Sequence, residues 1–438
     1  MKEGVVVIGA GLAGSEAAWQ IAERGIKVSL YEMRPNKMTP AHHTGYFAEL
    51  VCSNSLRAHS LNNAVGLLKE EMIRLDSLVM RCALSTSIPA GGALAVDREE
   101  FSREITAALQ SHPLVDVFLE EVTAIPAKRP VIIATGPLTS PALALALEDF
   151  TGLGRLYFYD AAAPIVVYES VDLEKAFFAS RYDKGGKDYL NCPMKEEEYT
   201  LFWQHLCDGE VAEMKEFEKD AYFEGCMPIE VLAKRGKDTL RFGPLKPVGL
   251  SLPSGEQPFA VVQLRRDNRE GTLYNMVGFQ TQLKWAEQKR IFRLIPGLER
   301  AEFVRYGVMH RNTFVNSPLL LQPTMAMADY PGIFFAGQIT GVEGYVESAA
   351  TGIIAGINAC CFVHNNDSLV FPPETALGAL AQYITSAEPG SFQPMNINFG
   401  LFPPLPRRVE RKKKKEQLSR RSLKKLSDFR RKIHDLLA

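Results

Sequence analysis

Hydrophobic and polar positions along this chain alternate between two rhythms. An uninterrupted apolar run, Val5-Val6-Val7-Ile8, has the length and β-branching of a strand buried on both faces. It breaks at a glycine-rich turn into a stretch of small and apolar residues, 15–22, that suits a helix, and Lys27-Val28-Ser29-Leu30-Tyr31 then predicts a second strand. The strand pattern returns at 130–134 and at 331–335, the latter leading through further glycines into an apolar helix over 349–360. Strand, helix and strand in alternation mark an α/β domain with a parallel sheet. The middle of the chain, 168–305, is richer in charge and aromatic residues and reads as an α+β unit. Beyond a stiff Pro403-Pro404-Leu405-Pro406 connector, Leu418, Leu423, Leu426, Phe429 and Ile433 recur at helical spacing and predict a docked amphipathic helix.

The first turn carries chemistry. Gly9-Ala10-Gly11-Leu12-Ala13-Gly14 joins the first strand to the first helix. In a dinucleotide fold Gly9 and Gly11 permit the tight turn and close backbone approach, Gly14 lets helix and strand pack, and the helix N-terminus faces the pyrophosphate. Glu32 ends the second strand 21 residues after Gly11, where a carboxylate can accept hydrogen bonds from an unphosphorylated ribose, as in FAD or NAD. FAD is preferred because Ala134-Thr135-Gly136 resembles the second element of two-domain flavoproteins. Gly337-Gln338 follows the late strand where that class holds the ribityl–pyrophosphate, with Gln338 in place of the more usual Asp. No second G-x-G-x-x-G follows a predicted strand, so NADH or NADPH is expected to bind only transiently. Both ends of the chain thus contribute to one nucleotide site. The expected organisation is α/β: a Rossmann-type FAD-binding domain (1–167 and 306–400), an inserted α+β substrate domain (168–305) and a basic helical tail (401–438).

Composition sharpens this picture at four points. The 438 residues, 46% apolar, can bury a substantial core. The net charge of −1 conceals 14 Lys and Arg against 4 Asp and Glu from Leu401 on, about +10, which leaves the first 400 residues at 36 against 47, about −11. A basic arm on an acidic body suits a polyanionic partner, or else is a solvated terminal helix. The apolar runs are interrupted short of the roughly 20 residues that span a bilayer, and the N-terminus enters its first strand without a leader. A cytoplasmic protein without membrane contact is therefore expected. Seven cysteines, at 52, 82, 192, 207, 226, 360 and 361, form no C-x-x-C pair and have no His at zinc spacing. They read as reduced thiols without a metal. Cys52, in an apolar run that breaks into a polar turn with Arg57 five residues on, and Cys226, between Gly225 and the Met227-Pro228 of a helix start, stand where a nucleophilic thiolate is favoured. The alternative for each is a structural thiol. Cys82, Cys360 and Cys361 read as buried filler.

Longer blocks now point further. The N-terminal fingerprint, Pro40-Ala41-His42-His43-Thr44, Glu49-Leu50-Val51-Cys52-Ser53-Asn54-Ser55-Leu56-Arg57, Gly225-Cys226-Met227-Pro228-Ile229-Glu230, Val262-Gln263-Leu264-Arg265-Arg266-Asp267-Asn268 and Gly337-Gln338-Ile339-Thr340-Gly341-Val342-Glu343-Gly344-Tyr345 together resemble the folate- and FAD-dependent tRNA uracil-5-methyltransferases (TrmFO, formerly Gid). The resemblance runs nearly end to end. It implies methylation at C5 of the T-loop uridine 54 of tRNA, giving 5-methyluridine, with carbon from 5,10-methylenetetrahydrofolate and reducing equivalents from NADH or NADPH through FAD. It also implies that Cys52 and Cys226 act together, one as nucleophile and the other in proton transfer or elimination, without saying which is which. A thiolate is needed because uracil C5 attacks a one-carbon electrophile only after addition at C6. The basic tail then reads as a tRNA contact, and Arg265, Arg266 and Arg311 as candidate site residues. His42 and His43 stay open between a pocket role and a structural one. The competing readings are an FAD-dependent NAD(P)H oxidoreductase acting on a small molecule, a larger relative that modifies the wobble uridine, whose length this chain does not reach, and a non-catalytic RNA-binding flavoprotein, which would have no use for thiolate-favouring settings at Cys52 and Cys226.

Overall fold

A computed structural model describes residues 4–153, 156–161, 163–183, 186–212, 227–252, 254–307, 309–407 and 409–437. The apolar run Val5–Ile8 is the central strand of a five-stranded parallel sheet ordered Ile333–Phe335, Val131–Ile133, Val5–Ile8, Val28–Tyr31, Val115–Phe118. Ile8 sits beside Tyr31 on one side and Ile133 on the other, so the strand is paired on both edges and covered on both faces. That environment explains its lack of polar positions. The edge strand Val115–Phe118, with Asp116 in its middle and only Val115 buried, carries no such signal in the sequence.

Helices Leu12–Ala22 and Tyr345–Val363 pack face to face over this sheet and join the two ends of the chain. The seam admits only glycine at a closest point, where a Cβ on Gly352 would lie 2.3 Å from the Ala13 carbonyl oxygen, and beneath it a Cβ on Gly14 would lie 1.7 Å from the Gly9 carbonyl oxygen at the end of the first strand. Tyr345–Val363 is longer than the interrupted runs of the sequence suggest and is apolar enough to cross a bilayer by composition alone, yet 89% of its apolar window is buried inside the protein. It is a core helix.

A second, six-stranded antiparallel sheet, ordered Phe177–Ala179, Tyr189–Met194, Ala260–Arg266, Leu273–Met276, Ile165–Val167, Phe303–Arg305, has its own core with Tyr199, Phe202, Phe279 and Phe292. The chain enters and leaves it along one antiparallel ladder, Leu156–Ala161 against Met309–Phe314. The fold is thus the α/β, Rossmann-type arrangement that the alternating pattern predicts, carrying a second α+β body.

The predicted tail helix spans Arg411–Leu437 and buries Leu418, Leu426, Phe429 and Ile433. Ser419 Oγ donates to the Leu61 carbonyl (2.7 Å), and Ser422 Oγ to the carboxylate of Glu71. Glu71 is fully buried and also accepts the backbone N–H of Ala376 (2.7 Å) and Leu377 (2.9 Å), tying three helices together. Burial pushes its carboxyl up to about 7, against the pull of those hydrogen bonds. A folded-state pKa above the ordinary value means that folding favours the protonated form. The contribution is complete below about 4.5 and is lost as pH rises through about 7, on the order of 3 kcal/mol in all. Glu71→Gln is expected to flatten the dependence of Tm on pH between 4.5 and 8; a variant that keeps the wild-type fall would remove Glu71 as its cause.

Candidate functional site

The carboxyl ends of the parallel strands open on a cleft of about 1000 Å³ lined by Gly9, Gly11, Leu12, Ala13, Glu32, Thr135, Gly136, Gly337 and Gln338. In open α/β sheets this is where ligands bind. Of the fingerprint, Ala10 and Gly14 stay behind the wall: Ala10 donates its N–H to Glu32 Oε2 (2.9 Å), and Gly14 makes the strand–helix contact. A Cβ on Gly11 would meet nothing within 4 Å, so this position faces open space, as a residue approached by a ligand should. Nine cleft residues from four strand ends and a helix N-terminus therefore fit a dinucleotide.

Glu32 reaches the cleft in company that the local sequence does not reveal. Its carboxylate is paired with Arg34 (3.0 Å), both side chains being nearly sealed at 6% and 2% exposure, and Arg34 extends to Glu49 (3.4 Å). A ribose hydroxyl at Glu32 has to share lone pairs with that guanidinium and with Ala10 N–H. Burial alone would raise the Glu49 carboxyl, but N–H groups of His43 and Thr44 and the Thr44 hydroxyl hold it below the usual carboxylate range. The histidine pair divides: His42 lines the cleft with its Nδ1 against Thr39 Oγ1 (2.6 Å), whereas His43 does not line it, its backbone N–H holding Glu49.

Behind one wall of the cleft lies a second cavity of about 1230 Å³, lined by Cys52, Ser53, Arg57, Arg265, Asn275, Gln280, Glu343 and Asn396. Val51, Pro137, Leu138, Gln338 and Tyr345 border both spaces. Gln338 donates to Glu343 Oε2 (2.8 Å) across that border.

The Cys52 loop is held at every residue. Leu50 O accepts from Arg98, Val51 O from Arg305, and the N–H groups of Cys52 (2.7 Å) and Ser53 (3.2 Å) both donate to Tyr345 Oη. Arg265 donates to Ser53 Oγ (2.7 Å) and Asn54 Oδ1 (3.1 Å), and Asn54 donates onward to the carbonyls of Val96 and Arg266, both at 3.0 Å. Arg98 is in turn paired with Asp267 (2.9 Å). Arg98, Arg265 and Arg305 all interact electrostatically with the half-buried Cys52 thiol, and positive charge beside a cysteine favours its nucleophilic form. Burial, and then the Cys52 charge, raise the Tyr345 phenol far above its ordinary range, so it stays protonated.

The neighbouring cation expected from sequence, Arg57, lines the same cavity but is committed to the fully buried Glu347. Arg266 does not line it. Lys69, sealed beneath Arg57 and donating to Leu56 O (2.6 Å), is pushed down to about 7 by burial and then by Arg57. The three cysteines read as filler are buried, and burial pushes Cys82 and Cys360 up to about 12 and Cys361 to about 11; Cys192, also buried, is likewise pushed up to about 12. Cys226 and the side chain of Arg311 lie outside the described residues. Ile229 N–H donates to the carbonyl of Gln280 (2.7 Å), a residue of the Cys52 cavity.

The family described as Glucose inhibited division protein A matches residues 4–367. A methylenetetrahydrofolate–tRNA-(uracil-5-)-methyltransferase TrmFO of Heliobacterium modesticaldum is 64% identical over 427 residues, 97% of each chain. The protein of the same name from Listeria innocua is 63% identical over 425 residues, 97% of this chain and 98% of its own. Among solved structures, Aquifex aeolicus GidA in one crystal form superposes with a TM-score of 0.71 at 18% identity, covering 97% of this chain and 76% of that one, a likeness of fold. Identity of this extent along essentially the whole length makes the chain a member of the TrmFO family, within the wider glucose inhibited division protein A family.

Proposed function

We propose that the protein methylates C5 of uridine 54 in the T-loop of tRNA, in the cytoplasm, taking its carbon from 5,10-methylenetetrahydrofolate and its electrons from NADH or NADPH through FAD. One observation carries this reading: the cavity that holds Cys52 shares a wall with the dinucleotide cleft at Val51, Pro137, Leu138, Gln338 and Tyr345, so a base in one and a flavin in the other are neighbours. Gly9, Gly11, Leu12, Ala13, Glu32, Gly136, Gly337 and Gln338 form the flavin's cradle, with Ala10 and Gly14 supporting it from behind. FAD, when bound, supplies the reducing equivalents that complete the methyl group.

The chain's own residues do the rest. Cys52 and Cys226 provide a thiolate that adds to C6 of the uracil, so that C5 bonds to the one-carbon unit as that unit's bonds to the folate nitrogens break, and an acid–base group that takes the C5 proton. The C6–S bond then breaks and the ring double bond returns as the exocyclic methylene is reduced to a methyl with the two electrons that FAD would supply. Arg98, Arg265 and Arg305 keep the surroundings of Cys52 positive, and Tyr345 fixes its backbone and so the direction of its sulfur. The test uses purified flavin-loaded protein, unmodified tRNA, NADPH and 5,10-methylenetetrahydrofolate labelled in its one-carbon unit, followed by nucleoside mass spectrometry. Labelled 5-methyluridine in the T-loop is the expected product. Label at the wobble base, or none despite rapid NADPH oxidation, would overturn the proposal.

A further inference from the structure

We infer that the exposed cations along the C-terminal helix are a rail for the phosphate backbone of RNA, set near the Cys52 cavity; this rests on the reading that the substrate is a tRNA. The helix Arg411–Leu437 is about 40 Å long, comparable with one turn of a nucleic-acid duplex. Four carboxylates neutralise Lys413, Lys425, Arg430 and Arg431. Lys412, Lys414, Lys415, Arg420, Lys424 and Lys432 are exposed and have no carboxylate partner among the described residues. These charges stand on a chain whose first 400 residues carry about −11, which repels a polyanion from the rest of the surface.

Position links the rail to the site. Ser419, one turn beyond Lys415, is bonded to the Leu61 carbonyl, and Leu61 lies in the loop that follows strand Ser55–Ala58, whose Arg57 lines the Cys52 cavity. Asn396, in the segment that leads into the helix, lines the same cavity. A basic amphipathic helix also suits a lipid surface, but that requires a free apolar face. Here Leu418, Leu426, Phe429 and Ile433 are already spent on the protein core, which leaves only the charged side for a partner. Phosphates spaced along a backbone match cations distributed along the length of a helix without requiring any base contact.

The experiment replaces Lys412, Lys414, Lys415 and Lys424 together by Gln, which preserves helix propensity, in the full-length flavin-loaded protein. Binding of an unmodified tRNA transcript is followed by fluorescence anisotropy against KCl. The slope of log Kd on log salt is expected to fall by about 3 to 4, roughly one for each lysine lost. Affinity near 0.1 M salt should fall about tenfold or more, with KM for tRNA raised and kcat unchanged. The matching Lys→Arg variant should keep the wild-type slope. An unchanged slope in the Gln variant, an equal loss in the Arg variant, or equal salt-sensitive retention of an acidic protein with no response to tRNA would overturn the inference. Wild-type binding with this salt response but no methylation would sink the proposed reaction and leave the rail standing.

Discussion

Cys52→Ala protein is expected to keep its fold and its flavin while losing tRNA methylation by about three orders of magnitude or more, the scale on which removal of a covalent nucleophile or its acid–base partner acts. The thiol lines the second cavity and does not line the dinucleotide cleft, so its removal leaves the flavin cradle intact. The loop that carries it is held by its backbone and by Ser53 and Asn54, none of which the substitution removes. Flavin absorbance, a thermal melt and single-turnover methylation should therefore separate cleanly. Methylation within tenfold of wild type, on a flavin-loaded enzyme, would take Cys52 out of the chemistry. Cys226→Ala, measured in the same way, should behave alike if the two thiols divide the work.

The second large effect is expected at Asp267, which the resemblance blocks contain but to which no role attaches in the sequence. Its carboxylate is 5% exposed and holds Arg98, itself 13% exposed, whose other nitrogen supports the Leu50 carbonyl two residues before Cys52. Asp267→Ala leaves a buried guanidinium without its counter-charge, at a cost of about 3 to 5 kcal/mol. Stability is one readout, by denaturant unfolding. The other is functional: the pH profile for alkylation of Cys52 by iodoacetamide should move, and kcat should fall more than KM for tRNA changes. A loss of stability with an unmoved alkylation profile would make Asp267 a structural residue of the junction between the two sheets and nothing more.

Legibility in the sequence followed distance along the chain. The central strand, the glycine turn, the second strand and Glu32 lie within residues 5–32, and each owes its conformation to neighbours a few positions away. Backbone sterics and a two- or 3.6-residue period suffice for such elements. The tail helix was legible for the same reason, since Leu418, Leu426, Phe429 and Ile433 repeat at helical spacing and do turn inward. The partners of Cys52 follow another logic. Arg98 opens the helix Arg98–Gln110, Arg265 and Arg305 come from the second sheet, and Tyr345 opens the core helix. The sequence draws the eye to Arg57 because it is near, but that guanidinium is taken by Glu347.

By itself, then, the sequence determined the α/β class, the place of the dinucleotide turn, the asymmetry of charge between body and tail, and the family to which the chain belongs. These are properties of local conformation, composition and long matching blocks, all carried by residues adjacent in the chain. Only the tertiary structure decided that Arg34 joins Glu32 to Glu49, that Arg98, Arg265 and Arg305 converge on one loop, that the thiol cavity shares a wall with the dinucleotide cleft, and that the basic helix is bonded to the loop after strand Ser55–Ala58. Ion pairs and cavity walls form between side chains brought together by burial of the core, and the burial of apolar surface has no direction along the chain and leaves no spacing to read.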